Sequence, residues 1–338
     1  MSWSPKTGRF TSGSVRMAVD TITTPIPPQP LNNWTGSTTR LEIETLLSSR
    51  QKIAYIKRNL KTGLFYQHSR IQKQPLTGET VSIVMTSSNR SKQTYYTLHT
   101  ISRDRYKNVQ VILVDDSTSD PISIDTLNGY PFTIDFIQIL HDKKIWGNPC
   151  VNYNIGFQFI EGGKVIIQNA EVCHVGNVID YVHTSVNDNT YAVFDVKSTE
   201  GLRYNDMVYS KSNIGTDIFS DKRVFVGEIW YQSVIHRNSR YHFLTATTRD
   251  TFNKIGGFSY DYTIGNAYDD NDFVLRIDSL GIQSTSLSHT DVKCGGIHLY
   301  HTPSELGWGA KLPLNDLVFE EKKKHYETTG QYKDLIQI

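Results

Sequence analysis

Apolar residues in this chain fall in short β-branched runs separated by stretches of helical period. Val81-Ser82-Ile83-Val84-Met85 is the first such run, and it closes on the polar tail Thr86-Ser87-Ser88-Asn89-Arg90. Tyr95, Leu98 and Ile101 follow at helical spacing. Residues 109–114 form a second run, which closes on Asp115-Asp116-Ser117-Thr118-Ser119-Asp120. Residues 132–140 make a third strand candidate and 151–160 a helix. Residues 164–167 make a fourth strand, ending in Gln168-Asn169-Ala170-Glu171. Strands that alternate with helices imply an α/β fold built on parallel strands. Ligands of such sheets bind beyond the carboxyl ends of the strands, so these polar tails are expected to converge on one crevice.

The flanking segments read differently. Residues 1–33 are rich in Ser, Thr and Pro, and Pro25-Ile26-Pro27-Pro28-Gln29-Pro30 favours an extended arm, ordered against the body or against a second copy of the chain. Leu41, Ile43, Leu46, Leu47, Ile53, Ile56 and Leu60 predict a helix over roughly 40–60. After residue 175, a helix is expected at 178–182, a strand at 191–195 and another at 241–247. Residues 197–223 read as an irregular, polar and mobile loop. The end, 311–338, is charged and partly helical, and its run Glu320–Lys324 reads as a solvated helix face. The expected division is an arm with a helical segment (1–78), one α/β domain (79–305, its halves meeting near 175) and a tail (306–338).

The most informative stretch is 255–277, IGGFSYDYTIGNAYDDNDFVLRI. Gly256-Gly257-Phe258 marks a turn needing positive φ. A helix is predicted from the acids Asp269, Asp270 and Asp272, through Phe273 and Ile277, to Gly281. One acid is enough to cap a helix, and three in one turn repel unless a proton, cation or substrate stabilises them. The bland reading is capping; the sharper one is the floor of an active site. Upstream, Trp230, Tyr231, Gln232, His236, Arg237, Asn238 and His242 mix rings that can stack on a sugar face with amides and imidazoles that can reach hydroxyls. A core role serves Trp230 equally well.

Composition narrows the partners. Thirty-five Lys and Arg against 34 Asp and Glu leave a net charge of +1, which argues against a nucleic-acid backbone as main partner. Aromatic residues make up 11%, including 19 tyrosines, which suits stacking on sugar rings and an ordinary β-rich core alike. The three cysteines, Cys150, Cys173 and Cys294, form neither a disulfide framework nor a CxxC clip. Neither an N-terminal apolar run nor an 18-residue apolar stretch is present, so the expectation is a soluble cytoplasmic protein without a membrane span.

The Gly-Gly-Phe turn, the acidic pair Asp269-Asp270 and the helix leading to Arg276 resemble inverting glycosyltransferases of the GT-A fold, in the broad family 2 group. The resemblance covers about residues 81–301. It implies a Rossmann-like, mixed but mainly parallel sheet flanked by helices, with an N-terminal extension outside it. It implies transfer of a sugar from a nucleotide diphosphate donor, UDP-linked, to a hydroxyl on a glycan or glycosylated acceptor, with Asp270 as the base. Asp269 and Asp272 would bind acceptor or hold the base, alongside Trp230, Tyr231, Gln232 and His242. Val114-Asp115-Asp116-Ser117-Thr118-Ser119-Asp120 is similar to the family's nucleotide-holding strand end. Thr86, Ser88 and Arg90 would line the same pocket, and Asn154 would sit beneath the nucleotide sugar, bonded to the Asp115 strand. Where the family carries Asp-x-Asp, this chain has Asn169-Ala170-Glu171. Glu171 and the late histidine His298 are then the expected ligands of a divalent cation, Mn²⁺ rather than Mg²⁺, with His301 as alternate and His174 more remote. A non-catalytic carbohydrate-binding module and a nucleotidyltransferase are the alternative readings.

Overall fold

A computed structural model describes residues 40–199, 201–210, 216–221, 224–225, 232–301 and 308–336. The expected N-terminal arm, with its proposed role in self-association, lies outside the described residues, as do Trp230 and Tyr231. The first half of the described chain runs α1 (Arg40–Asn59), β1 (Tyr66–Ile71), β2 (Val81–Ser87), α2 (Ser91–Arg103), β3 (Val109–Asp115), α3 (Ile124–Leu127), β4 (Thr133–Ile139), α4 (Cys150–Gly156), β5 (Lys164–Asn169) and β6 (Val172–Val175). The second half runs α5 (Val178–Ser185), β7 (Thr190–Phe194), β8 (Val196–Thr199), α6 (Leu202–Ser210), β9 (Val224–Phe225), β10 (Leu244–Thr248), α7 (Arg249–Ile255), α8 (Asp269–Ser279), β11 (Gln283–Leu287), α9 (His289–Val292), β12 (Gly295–His298) and α10 (Trp308–Thr329).

The expected mixed, mainly parallel sheet flanked by helices is what forms. Eight strands take the order β1-β4-β3-β2-β5-β10-β7-β11. β2 lies parallel to β3 and β5, β3 parallel to β4, and β7 parallel to β11. Antiparallel pairs enter at the edge, β1 with β4, and in the middle, where β10 runs against both β5 and β7. Both faces of the sheet are covered, so its central strands are apolar throughout rather than alternating. Val81, Ile83, Met85, Val111 and Leu113 pack on one side with Leu98 and Ile101 of α2 and with Val178 and Val182 of α5. Val84, Ile112 and Val114 face the other side, with Ile56 of α1, Val151 and Ile155 of α4, Phe273 and Ile277 of α8 and Val318 of α10. Gly156 lets α4 sit hard on the sheet, since a Cβ there would meet Val84 Cγ1 at 2.9 Å and Val114 Cγ2 at 3.1 Å.

A smaller sheet, order β6-β12-β8-β9, leans on the same body. Its own core joins Cys173, Val175, Ile297 and Leu299 to Val208, Ile218 and Phe219. This corrects the irregular loop expected over 197–223: β8 and α6 form there because Val208 has that apolar seam to bury against. The charge run in the tail is corrected too, because Lys322 is fully buried against the main body. All three cysteines are buried, and burial pushes the Cys173 and Cys294 thiols up to about 12 and Cys150 well above its ordinary value. No described helix is long and apolar enough to cross a membrane.

Candidate active site

The carboxyl ends of β2, β3 and β5 meet the amino end of β10 because β10 is antiparallel to β5. Asn169 N donates to Phe243 O at 3.3 Å, so His242 lies beside the turn that carries Glu171. Tyr153 of α4 ties the two together: its hydroxyl donates to Gln168 O (2.8 Å), and the ring meets His242 edge-on at 4.8 Å between centroids.

α8 delivers the acids to this junction. The His242 ring turns Nδ1 to the Asp270 carboxylate, and the His242 backbone N–H reaches the same oxygen at 3.5 Å. Burial disfavours a charged His242 ring, yet the charges of Asp270, Asp269 and Glu171 outweigh it and hold the ring above its ordinary value. The Asp270 side chain is 31% exposed, which leaves it open to a substrate. Asp269 is buried beside it and accepts from Asn148 Nδ2 at 3.2 Å. Burial, then the neighbouring Asp270 charge, push the Asp269 carboxyl up to about 6.

Asp272, expected to serve the acceptor, turns the other way. Its side chain is fully buried, 2.9 Å from Lys322 Nζ, and accepts from Tyr332 (2.8 Å) and Tyr262 (3.2 Å). Lys322 also meets Asp261 at 3.0 Å and Asp334 at 3.1 Å. Buried charges survive only in such pairs, so Asp272 anchors α8 to α10. Gln232 is likewise buried and turned inward. It pairs with Val196 through its backbone, while its amide bonds Asn238, Ser239 and the Arg240 N–H inside one tight loop.

The Gly-Gly-Phe turn is as the sequence required, with φ of 82° at Gly256 and 81° at Gly257. Asn154 explains its shape: the amide donates to Phe258 O and accepts from Phe258 N, both at 2.9 Å. Asn154 thus clamps this turn, rather than bonding the Asp115 strand beneath a nucleotide sugar. Arg276 Nη1 holds the other side through Gly257 O (2.7 Å).

At the end of β3 the two acids separate. Asp115 is 1% exposed and accepts from the backbone N–H of Ser117 (3.2 Å) and Ile122 (3.0 Å), so it holds the shape of its own loop. Burial holds its carboxyl above the ordinary range. Asp116 accepts from Lys144 Nζ (2.5 Å) and Asn152 Nδ2 (2.8 Å), and its second oxygen has no hydrogen-bond partner among the described residues. Ser88 Oγ donates to Asp116 O at 3.2 Å, and Thr86 stands opposite Asn169 in the sheet. Lys144 and Asn152 carried no sequence signal, because only the fold brings them to the β3 end.

Glu171 gathers the remaining groups. Its Oε1 accepts from Arg90 Nη1 (2.6 Å) and lies 3.4 Å from His298 Nε2 and 3.3 Å from His301 Nε2. Its Oε2 is buried without a hydrogen-bond partner among the described residues. Burial alone would raise the Glu171 carboxyl, but Arg90 and the two histidines outweigh it and hold it well below the usual range. Burial keeps His298 below its ordinary value, which favours the neutral ring that a metal needs. Ligand atoms of Glu171, His298 and His301 lie within 4.8 Å of one another. His301 thus joins the cluster as a third member. His174 does not: it is buried behind the cluster, bonded to Gln168 Oε1 at 2.7 Å, and burial lowers it to about 3.

No protein-family model matches the sequence, and no curated protein sequence matches it. Solved structures with a similar outline include S. aureus TarS residues 1–349, at 13% identity over 65% of this chain and 60% of that one (TM-score 0.45). The mannosyltransferase PcManGT from Pyrobaculum calidifontis, in complex with GDP-Man and Mn²⁺, is 14% identical over 85% and 75% (TM-score 0.43). GalNAc-T7 with UDP, GalNAc and Mn²⁺ is 12% identical over 73% and 49% (TM-score 0.48). The chain therefore spans less than two thirds of the TarS fragment it matches. These likenesses are distant, and the chemistry of the site rests on its own side chains.

Proposed function

We propose that the protein is a glycosyltransferase of the GT-A type, moving a sugar from a nucleoside diphosphate donor, UDP-linked, to a hydroxyl of a glycan acceptor with inversion. One observation carries the reading. A partly exposed carboxylate, Asp270, held by His242, stands beside the buried Glu171–His298–His301 cluster at the ends of the parallel strands. In this reading Asp270 takes the proton of the acceptor hydroxyl on the carboxylate oxygen not engaged by His242. The acceptor oxygen bonds the anomeric carbon, and the bond to the donor diphosphate breaks with its electron pair on the departing phosphate. His242 orients Asp270 toward the acceptor. Arg90 supplies a fixed positive charge beside the leaving group, and Thr86, Ser88 and Asp116 line the donor side. Glu171, His298 and His301 would hold a divalent cation. The buried free oxygen of Glu171 fits that role, and one carboxylate with two imidazoles suits Mn²⁺ better than Mg²⁺. A cation bound there supplies charge neutralisation of the diphosphate.

The test is release of nucleoside diphosphate from a panel of nucleotide sugars, with and without Mn²⁺ and oligosaccharide acceptors. Asp270→Asn is expected to bind donor like the parent while transfer falls by roughly 10²–10⁴-fold. Near-normal transfer by that variant removes Asp270 as base. Saturable sugar binding with no release of nucleotide marks a binding module instead. Pyrophosphate released from a nucleoside triphosphate marks a nucleotidyltransferase.

A further inference from the structure

The acidic turn is entered through two residues in a backbone region that L-amino acids avoid. Ala267 and Tyr268 have φ of 60° and 64°, and Asp269 and Asp270 follow directly. Neither is Gly or Asn, for which this region is easy. No side chain at Tyr268 caps the helix it opens. Such a conformation persists only where its surroundings support it, and one buried side chain bonds directly to it. Asn315 of α10 is fully buried, and its Nδ2 donates to Ala267 O at 2.8 Å and lies 3.4 Å from Tyr262 O. Gly265 is pressed against the same amide, since a Cβ there would come within 2.0 Å of Asn315 Oδ1. Beyond it, the Tyr268 ring packs on Phe319 of the same helix, 5.6 Å between centroids.

We propose that Asn315 is a positioning residue for Asp270: by holding the Ala267–Tyr268 pair left-handed, it aims the carboxylate at the acceptor oxygen. The inference rests on the reading of Asp270 as the base. It makes α10, 45 residues beyond Asp270 in sequence at Asn315, part of the catalytic geometry while it touches no substrate.

The test is a cycle of four proteins: the parent, Asn315→Ala, Ala267→Gly and the double variant. Glycine adopts positive φ at little cost, so Ala267→Gly supplies from within the chain what Asn315 imposes from outside. Asn315→Ala is expected to lose on the order of 10²-fold in kcat, the penalty of a small misplacement, with donor binding by calorimetry unchanged. The double variant should regain most of that loss. A double variant as slow as Asn315→Ala overturns the proposal, because a purely structural role for Asn315 is not repaired by glycine at 267. If Asn315→Ala does not fold, Asn315→Ser takes its place, with a hydroxyl too short to reach Ala267 O. Amide hydrogen exchange across 267–270 needs no turnover. It should quicken in the Asn315 variant while β2 and β3 stay protected, and unchanged exchange there also overturns the proposal. Asp270→Asn is measured alongside. If it transfers sugar normally, the base assignment fails whatever the cycle shows; if it is inactive and no rescue appears, the positioning role alone fails.

Discussion

Glu171 shows how one side chain can carry two incompatible demands. Its Oε1 is shared by Arg90, His298 and His301, while Oε2 is buried and open. A guanidinium at 2.6 Å competes with any cation for that carboxylate. Arg90→Gln is therefore expected to tighten Mn²⁺ binding roughly tenfold or more. A unit charge so close is worth more than the about 1.4 kcal/mol that a tenfold change represents. Glu171→Gln should abolish binding, and calorimetry that finds both variants like the parent removes the cation from this cluster. Asp269 sets a pH signature of its own. Its carboxyl sits at about 6 in the fold, through burial and the adjacent Asp270, but an unfolded aspartate has an ordinary value. The folded state thus binds the extra proton between those limits, and the contribution to stability is lost as pH rises through about 6. Asp269→Asn should flatten that part of the stability–pH curve, measured by urea unfolding at about pH 4 and about pH 7; an unchanged slope contradicts it. The residue types at this site were legible in the sequence: Asp270, His242, Glu171 and His298 stand in motifs whose order is local. The roles of Asp272 and Asn154 were not, because each is decided by a partner far away in sequence; those of Asp115 and Gln232 were not, because each depends on how a short loop turns nearby groups onto it.

At the scale of elements, α10 is where local reading failed most. Its run Glu320–Lys324 looks solvated, yet Lys322 lies at the centre of Asp261, Asp272 and Asp334, with Tyr262 and Tyr332 around it. Its two most buried partners, Asp261 and Asp272, are 50 or more positions away, so no window along the chain contains the signal. Lys322→Met keeps the bulk but removes the ammonium that Asp261, Asp272 and Asp334 share, leaving Arg276 beside Asp272 and Asp334 only. A loss of about 3–5 kcal/mol in urea denaturation is expected, and a loss below about 1 kcal/mol would mean that the cluster does not hold the helix. The central strands were readable because both their faces are covered and apolar runs mark them. β1 escaped notice for the opposite reason, since it is an edge strand in which exposed His68 and Arg70 alternate with half-buried Gln67, Ser69 and Ile71. β8 and β12 are four residues each, too short for any periodicity to register.

The whole molecule depends on a strand order that no stretch of sequence states. Only the reversal of β10 against β5 sets His242 beside Glu171, and so places the base and the cation cluster on one floor. If that floor works as proposed, nucleoside diphosphate and Mn²⁺ each raise the affinity of the other by one common factor, in the range of about 5–150. Calorimetry run in both orders checks it, and independent binding refutes it. The three buried thiols open a different line of study. Cys150 heads α4 under the acidic turn, Cys173 lies in β6, and Cys294 precedes β12, so they sample three separate neighbourhoods. A protonated, enclosed thiol is inert to alkylating reagents until its surroundings part. Mass spectrometry of the labelled chain would then act as three clocks, each timing the breathing of one neighbourhood. Because Cys150 borders the turn that Asn315 holds, its clock alone should run faster when that grip is cut.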